Sequence, residues 1–150
     1  MIVRFSLNGA PVEVDVRADD TLLAVLRRTQ GLTSVRESCG IGVCGACTAL
    51  LDGEVVSTCL VLAPAVDGRT VTTAEGIAAD HPVKVAFAEA HAYQCGYCVP
   101  GLVLATTRLL EERPRPSDDE IVAALAGNLC RCGSYVKILD AVRRAAAAGG

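Results

Sequence analysis

The sequence predicts an α+β chain: a β-grasp half over residues 1–75, then a bundle of four short helices over 76–150. Three observations predict it. Apolar residues alternate about two Asx-Gly turns in the first half, the period-2 pattern of hairpins. After residue 80, prolines and capping residues mark off four helical stretches. Eight cysteines fall into two sets of four, one set in each half.

Composition narrows the function. With 51% hydrophobic and 21% charged residues the chain has enough apolar surface to build a core. No apolar run approaches the 18 or so residues of a membrane span. A net charge of -3 with scattered basic residues argues against nucleic acid. The start, Met1-Ile2-Val3-Arg4-Phe5, lacks the layout of a signal peptide, so a cytoplasmic location is expected.

The elements follow in order. Val3, Phe5 and Leu7 alternate with Arg4 and Ser6, and Val12, Val14 and Val16 with Glu13 and Asp15. Asn8-Gly9 between them predicts a hairpin over 2–16 with one buried face. Thr21 to Gln30 predicts a helix with Leu22, Leu23 and Leu26 as its stripe, capped by Asp20 or Thr21 and ended by Gly31. Thr48–Leu51 and Glu54–Thr58 flank Asp52-Gly53, a second hairpin. A two-residue turn there sets Cys47 opposite Thr58, which returns Cys59 to the side of Cys47. Val71 marks a last strand, and 74–80 a connector. Pro82 opens a helix to about Tyr93. Pro100 opens a second, broken by Pro114 and Pro116. Ser117-x-x-Glu120 is a capping box for a third, to about Ala126 and closed by Gly127. The fourth runs from about Tyr135 to Ala148.

Eight cysteines in a reducing compartment are not read as disulfides. Cys39-x4-Cys44-x2-Cys47 with Cys59 has the spacing of plant-type [2Fe–2S] ferredoxins. Three glycines separate those three cysteines, which lets backbone N–H groups close on sulfur. The second set, Cys95-x2-Cys98 with Cys130-x-Cys132, is tighter than a zinc knuckle, and spacing alone leaves zinc and iron–sulfur both open. It sits where two helices begin, and free N–H groups there stabilise thiolates of either centre. Neither histidine is read as catalytic: His81 before Pro82 reads as a helix start and His91 as a helix residue, and no phosphate-binding glycine motif is present.

Taken together, Cys39-Gly-x-Gly-x-Cys44-Gly-x-Cys47 with Cys59, Gln94-Cys95-Gly96-Tyr97-Cys98-x-Pro100-Gly101 and Cys130-Arg131-Cys132 resemble the small iron–sulfur subunit of the xanthine oxidase family of molybdenum hydroxylases. The resemblance runs through nearly the whole chain. It implies a plant-type ferredoxin domain (1–75), then a four-helix-bundle [2Fe–2S] domain (76–150). It implies two [2Fe–2S] clusters, on Cys39, Cys44, Cys47 and Cys59 and on Cys95, Cys98, Cys130 and Cys132. It further implies a large molybdopterin-binding subunit where an aldehyde, an N-heteroaromatic or carbon monoxide is oxidised, and a medium FAD-binding subunit that receives the electrons. No catalytic residue and no turnover are then expected of this chain alone. The second cluster lies on the pterin side, and Gln94 and Cys132 match positions that touch the pterin; the other reading of Gln94 is a polar residue bonded to local backbone. The chain departs from the family at Cys132-Gly133-Ser134-Tyr135, where Thr-Gly or Gly-Gly usually precedes the tyrosine, and at Val99, where Thr is common. Ser134 is expected to cap the last helix. The alternatives are a free-standing two-cluster carrier, against which the helical half counts, and a structural zinc module.

Overall fold

A computed structural model describes residues 1–149 of the chain. The fold is mixed α+β, with a five-stranded sheet and five helices. Strands β1 (Ile2–Leu7) and β2 (Ala10–Asp15) pair antiparallel through the Asn8-Gly9 turn. Both turn residues have positive φ, 52° and 84°, the type I′ geometry that suits strand twist. The predicted Thr21–Gln30 helix forms only in part. A short α1 (Leu22–Ala24) starts on the Thr21 side chain, and Val25–Thr29 continues as a π-helical turn. Leu22, Leu23, Val25 and Leu26 are all buried in the core of this half.

Strands β3 (Thr48–Leu51) and β4 (Glu54–Ser57) form the second hairpin in the predicted register, Thr48 opposite Ser57. β5 (Thr70–Thr72) then inserts between the hairpins, parallel to β1 and antiparallel to β3, giving the order β2-β1-β5-β3-β4. A core of Val3, Phe5, Leu22, Leu26, Ala49 and Val71 fills one face.

Helices α2 (Pro82–Glu89), α3 (Val99–Glu112), α4 (Asp118–Leu125) and α5 (Tyr135–Ala148) pack round a second core of Phe87, Leu102, Ile121, Ile138 and Val142. Each large side chain buried there contributes about 1.5–3 kcal/mol. The capping box closes, with the Ser117 N–H 2.7 Å from Glu120 Oε2. Two of these expectations fail. α2 stops at Glu89, and His91 is no helix residue, because it turns the chain with φ 48°. Gly127 follows the end of α4 as expected, without positive φ; the chain leaves the helix through 3₁₀-type bonds to the Ala123 and Leu125 carbonyls. The Ser134 side chain makes no cap bond.

The two halves are sewn together. Leu50, Ala74 and Leu104 form a small shared core, and Arg108 of α3 reaches Glu54 of β4 at 2.7 Å. At the connector, the Glu75 carboxylate accepts from the Ser34 N–H (2.9 Å), the Ser34 hydroxyl and the Thr73 hydroxyl (2.6 Å). Partial burial pushes Glu75 up, but these donors outweigh it and hold it below its usual range. A depressed carboxylate stabilises the fold above its unfolded pKa and loses that contribution as pH falls through the folded value. Glu75→Gln is therefore expected to be less stable than wild type at neutral pH, with the gap closing on acidification. Denaturation across a pH series checks this; a gap independent of pH contradicts it.

Candidate metal centres

All eight cysteines are free of disulfides. Among the described residues no three Cys, His, Asp or Glu side chains converge as they do round a single ion. The thiols meet two by two instead.

In the first site Cys39 pairs with Cys44, and Cys47 with Cys59. The Cys39–Cys47 loop is shaped by Gly40, Gly42 and Gly45, all with φ near 70°. That backbone turns N–H groups inward: Val43 and Cys44 donate to Cys39 Sγ at 3.4 Å, and Ala46 to Cys44 Sγ at 3.5 Å. N–H bonds from Ile41, Cys44 and Val43 pull the Cys39 thiol down to about 6. Cys59 is pushed up to about 11 by burial and by the neighbouring Cys47. The hairpin brings Cys59 there as its register predicts. The Thr58 hydroxyl donates to the Cys47 carbonyl at 2.8 Å, and the start of α1 holds the strand end through Leu23 N–H to Thr58 O.

In the second site Cys95 pairs with Cys132, and Cys98 with Cys130. Cys98 is itself the N-cap of α3, and Cys130 and Cys132 precede α5. Burial, with the Cys130 thiol beside it, pushes Cys98 up to about 12. Burial acts on Cys130 too, but the Ser134 N–H and the Cys98 thiol outweigh it and pull Cys130 down. Cys95 is pulled down by the Tyr97 N–H and by Cys132. Each site thus offers thiolate character held by backbone donors, and metal loading must displace the remaining protons. Two thiols per corner, two corners per site, fits a two-iron cluster, in which each iron takes two cysteines.

Residues 5–79 match the 2Fe-2S iron-sulfur cluster binding domain family, and residues 73–143 the [2Fe-2S] binding domain family. The nicotinate dehydrogenase small FeS subunit of Eubacterium barkeri is 45% identical over 146 residues, 95% of this chain and 93% of that one. The nicotine 6-hydroxylase small subunit of Paenarthrobacter nicotinovorans is 46% identical over 91% of this chain and 84% of its own length. The chain belongs to the iron–sulfur subunits of the xanthine oxidase family of molybdenum hydroxylases. Quinoline 2-oxidoreductase from Pseudomonas putida 86 superposes with a TM-score of 0.94 at 37% identity, over 99% of this subunit and 94% of that chain. The aldehyde oxidoreductase of Desulfovibrio desulfuricans gives 0.93 at 40% identity, over 98% of this subunit but only 17% of that longer chain.

In this iron–sulfur subunit Gln94 is exposed, and its side-chain N–H donates to the Cys132 carbonyl at 3.0 Å. That bond ties the two cysteine loops of the second site together. His81 caps α2, its Nδ1 accepting from the Val83 N–H at 3.3 Å.

Several residues that join the two sites gave no signal in the sequence. The Leu129 N–H donates to the Cys44 carbonyl at 2.9 Å, a direct bridge between the two cysteine loops. Buried Asn128 donates to the Gly45 carbonyl (3.1 Å) and to Thr48 Oγ1 (3.0 Å). Arg36 donates to the Gly96 carbonyl (2.7 Å) and lies 5.0 Å from the Tyr97 ring centroid, while the Tyr97 hydroxyl donates to the Glu37 carbonyl. Tyr135 Oη accepts from the Cys130 N–H at 2.8 Å. All but the last are long-range contacts that no local pattern encodes.

Exposed apolar side chains gather at both sites: Ile41, Val43 and Leu60 near the first, Tyr97, Leu129 and Val136 near the second. No helix among the described residues is long and apolar enough to cross a membrane.

Proposed function

We propose that this chain is the electron-transfer subunit of a molybdenum hydroxylase complex, carrying electrons from a molybdopterin site in a large subunit to FAD in a medium subunit. Its first unit, residues 1–75, is a β-grasp ferredoxin-like domain that holds one [2Fe–2S] cluster on Cys39, Cys44, Cys47 and Cys59. Its second, residues 76–150, is a four-helix-bundle domain that holds the other on Cys95, Cys98, Cys130 and Cys132; Gly150 lies outside the described residues. When bound, each cluster supplies a one-electron carrier. The observation that carries this reading is the pairing of the eight thiols, two pairs to a site.

This chain's own part is to hold and join the sites. Backbone N–H groups on the sulfurs and the helix starts at α3 and α5 offset the cluster's negative charge. The Leu129–Cys44 hydrogen bond couples the two loops through backbone. The second site faces the pterin-bearing subunit, with Gln94 and Cys132 toward the pterin, and the first faces the flavin. The apolar rims support docking of both partners, since exposed apolar clusters of this kind mark protein interfaces. The reading puts the complex in the cytoplasm, acting on a carbon centre of an aldehyde or N-heteroaromatic, or on carbon monoxide.

Purification of the tagged chain from its native host tests the assembly. Two larger chains, molybdenum and flavin are expected to come with it. Recovery of the chain alone, loaded with iron, overturns the proposal in favour of a free-standing carrier.

A further inference from the structure

Ser134 is not spent on capping. It occupies the N-cap of α5, yet its side chain accepts no helix N–H. The residue is 5% exposed, and its Oγ is buried without a hydrogen-bond partner of good geometry. A buried hydroxyl left without a partner is costly and calls for an acceptor nearby. The Ser134 N–H already donates to Cys130 Sγ at 3.4 Å, and the Ser134 side chain lies within reach of the same thiol. The other groups around Cys130 are committed: its N–H to the Tyr135 hydroxyl, its thiol to Cys98.

We propose that the Ser134 hydroxyl donates a hydrogen bond to Cys130 Sγ and so raises the reduction potential of the cluster bound at the second site. The proposal rests on that site's assignment as a [2Fe–2S] centre. Its physical basis is that reduction adds negative charge to the sulfurs, so a donor on sulfur stabilises the reduced form more than the oxidised one. Ser134 is a positioning residue by this account. It makes the second cluster a better acceptor for electrons that arrive from the partner's side.

The test is an EPR-monitored redox titration of the intact complex carrying Ser134→Ala or Ser134→Thr. In Ser134→Ala the equilibrium constant for reducing the second cluster is expected to fall by about tenfold, which for a one-electron couple is about 59 mV. The first cluster is expected not to move, and Ser134→Thr, which keeps the hydroxyl, is expected to retain the wild-type potential. An unchanged potential in a fully loaded Ser134→Ala complex overturns the proposal, as do equal shifts in the two variants. If Ser134→Ala loses the cluster, pulsed ENDOR of the wild-type complex after transfer to heavy water decides. A coupled deuteron appearing on mixing, before buried amides exchange, supports the hydroxyl donor, and its absence contradicts it. Failure of the underlying assignment looks different: wild type then shows iron for one cluster and a single EPR signal.

Discussion

Gly45→Ala is expected to loosen both sites at once. Gly45 has φ 70°, and a Cβ built there meets the Gly127 carbonyl oxygen at 2.2 Å and the Asn128 Cα at 2.9 Å. These are backbone atoms of the loop that leads into Cys130, so no side-chain rotation relieves the clash. Left-handed backbone costs an alanine about 1–2 kcal/mol, and overpacking a rigid contact adds about 1–3 kcal/mol. For a chain of this size each kcal/mol lowers the unfolding midpoint by about 2–4 °C. Gly53→Ala is the control. Its φ is 84°, but a Cβ there meets nothing within 4 Å, so only the backbone cost applies. Thermal unfolding and iron content of the two variants separate the effects. Gly45→Ala is expected to be markedly the less stable and to lose iron from both sites; equal behaviour of the two contradicts the close packing of the loops.

Cys132→Ser is expected to remove the second cluster and spare the first. Cys132 pairs only with Cys95 within its site, and the Cys39–Cys59 set has its own backbone donors and its own core. A serine oxygen is a harder, far more basic ligand than thiolate. Iron is expected to fall by about half, from about four to about two per chain. One EPR signal is expected to vanish or broaden while the other stays, and electron exit from molybdenum to slow in the assembled complex. Unchanged signals from both clusters contradict the assignment of Cys132 as a ligand.

Much of the fold was legible because its determinants are local. Asn8-Gly9 and Asp52-Gly53 fix both hairpins, and the second hairpin's register carries Cys59 back to Cys47. Pro82, Ser117 and Glu120 mark helix starts that a side chain or ring enforces within one turn. The misses arise where a distant contact overrides local preference. Val25–Thr29 runs as a π turn although Leu22, Leu23, Val25 and Leu26 have ordinary α-helical spacing, so nothing in the local pattern marks the change. His91 turns left-handed, and the chain beyond it bends through Ala92, fully buried in the helical core, to reach Cys95. Ser134 has cap chemistry in sequence, but its side chain is buried and makes no cap bond. The links between the sites, from Asn128, Leu129, Arg36 and Tyr97, span 60 residues or more and have no local signature.

Electron transfer through this chain depends on two [2Fe–2S] clusters held by its eight cysteines. Metal and acid-labile sulfide analysis of the native complex, with EPR of its reduced form, tests it most directly. About four irons and four sulfides per chain and two distinct signals are expected. Zinc in place of iron, or iron without sulfide, would contradict it.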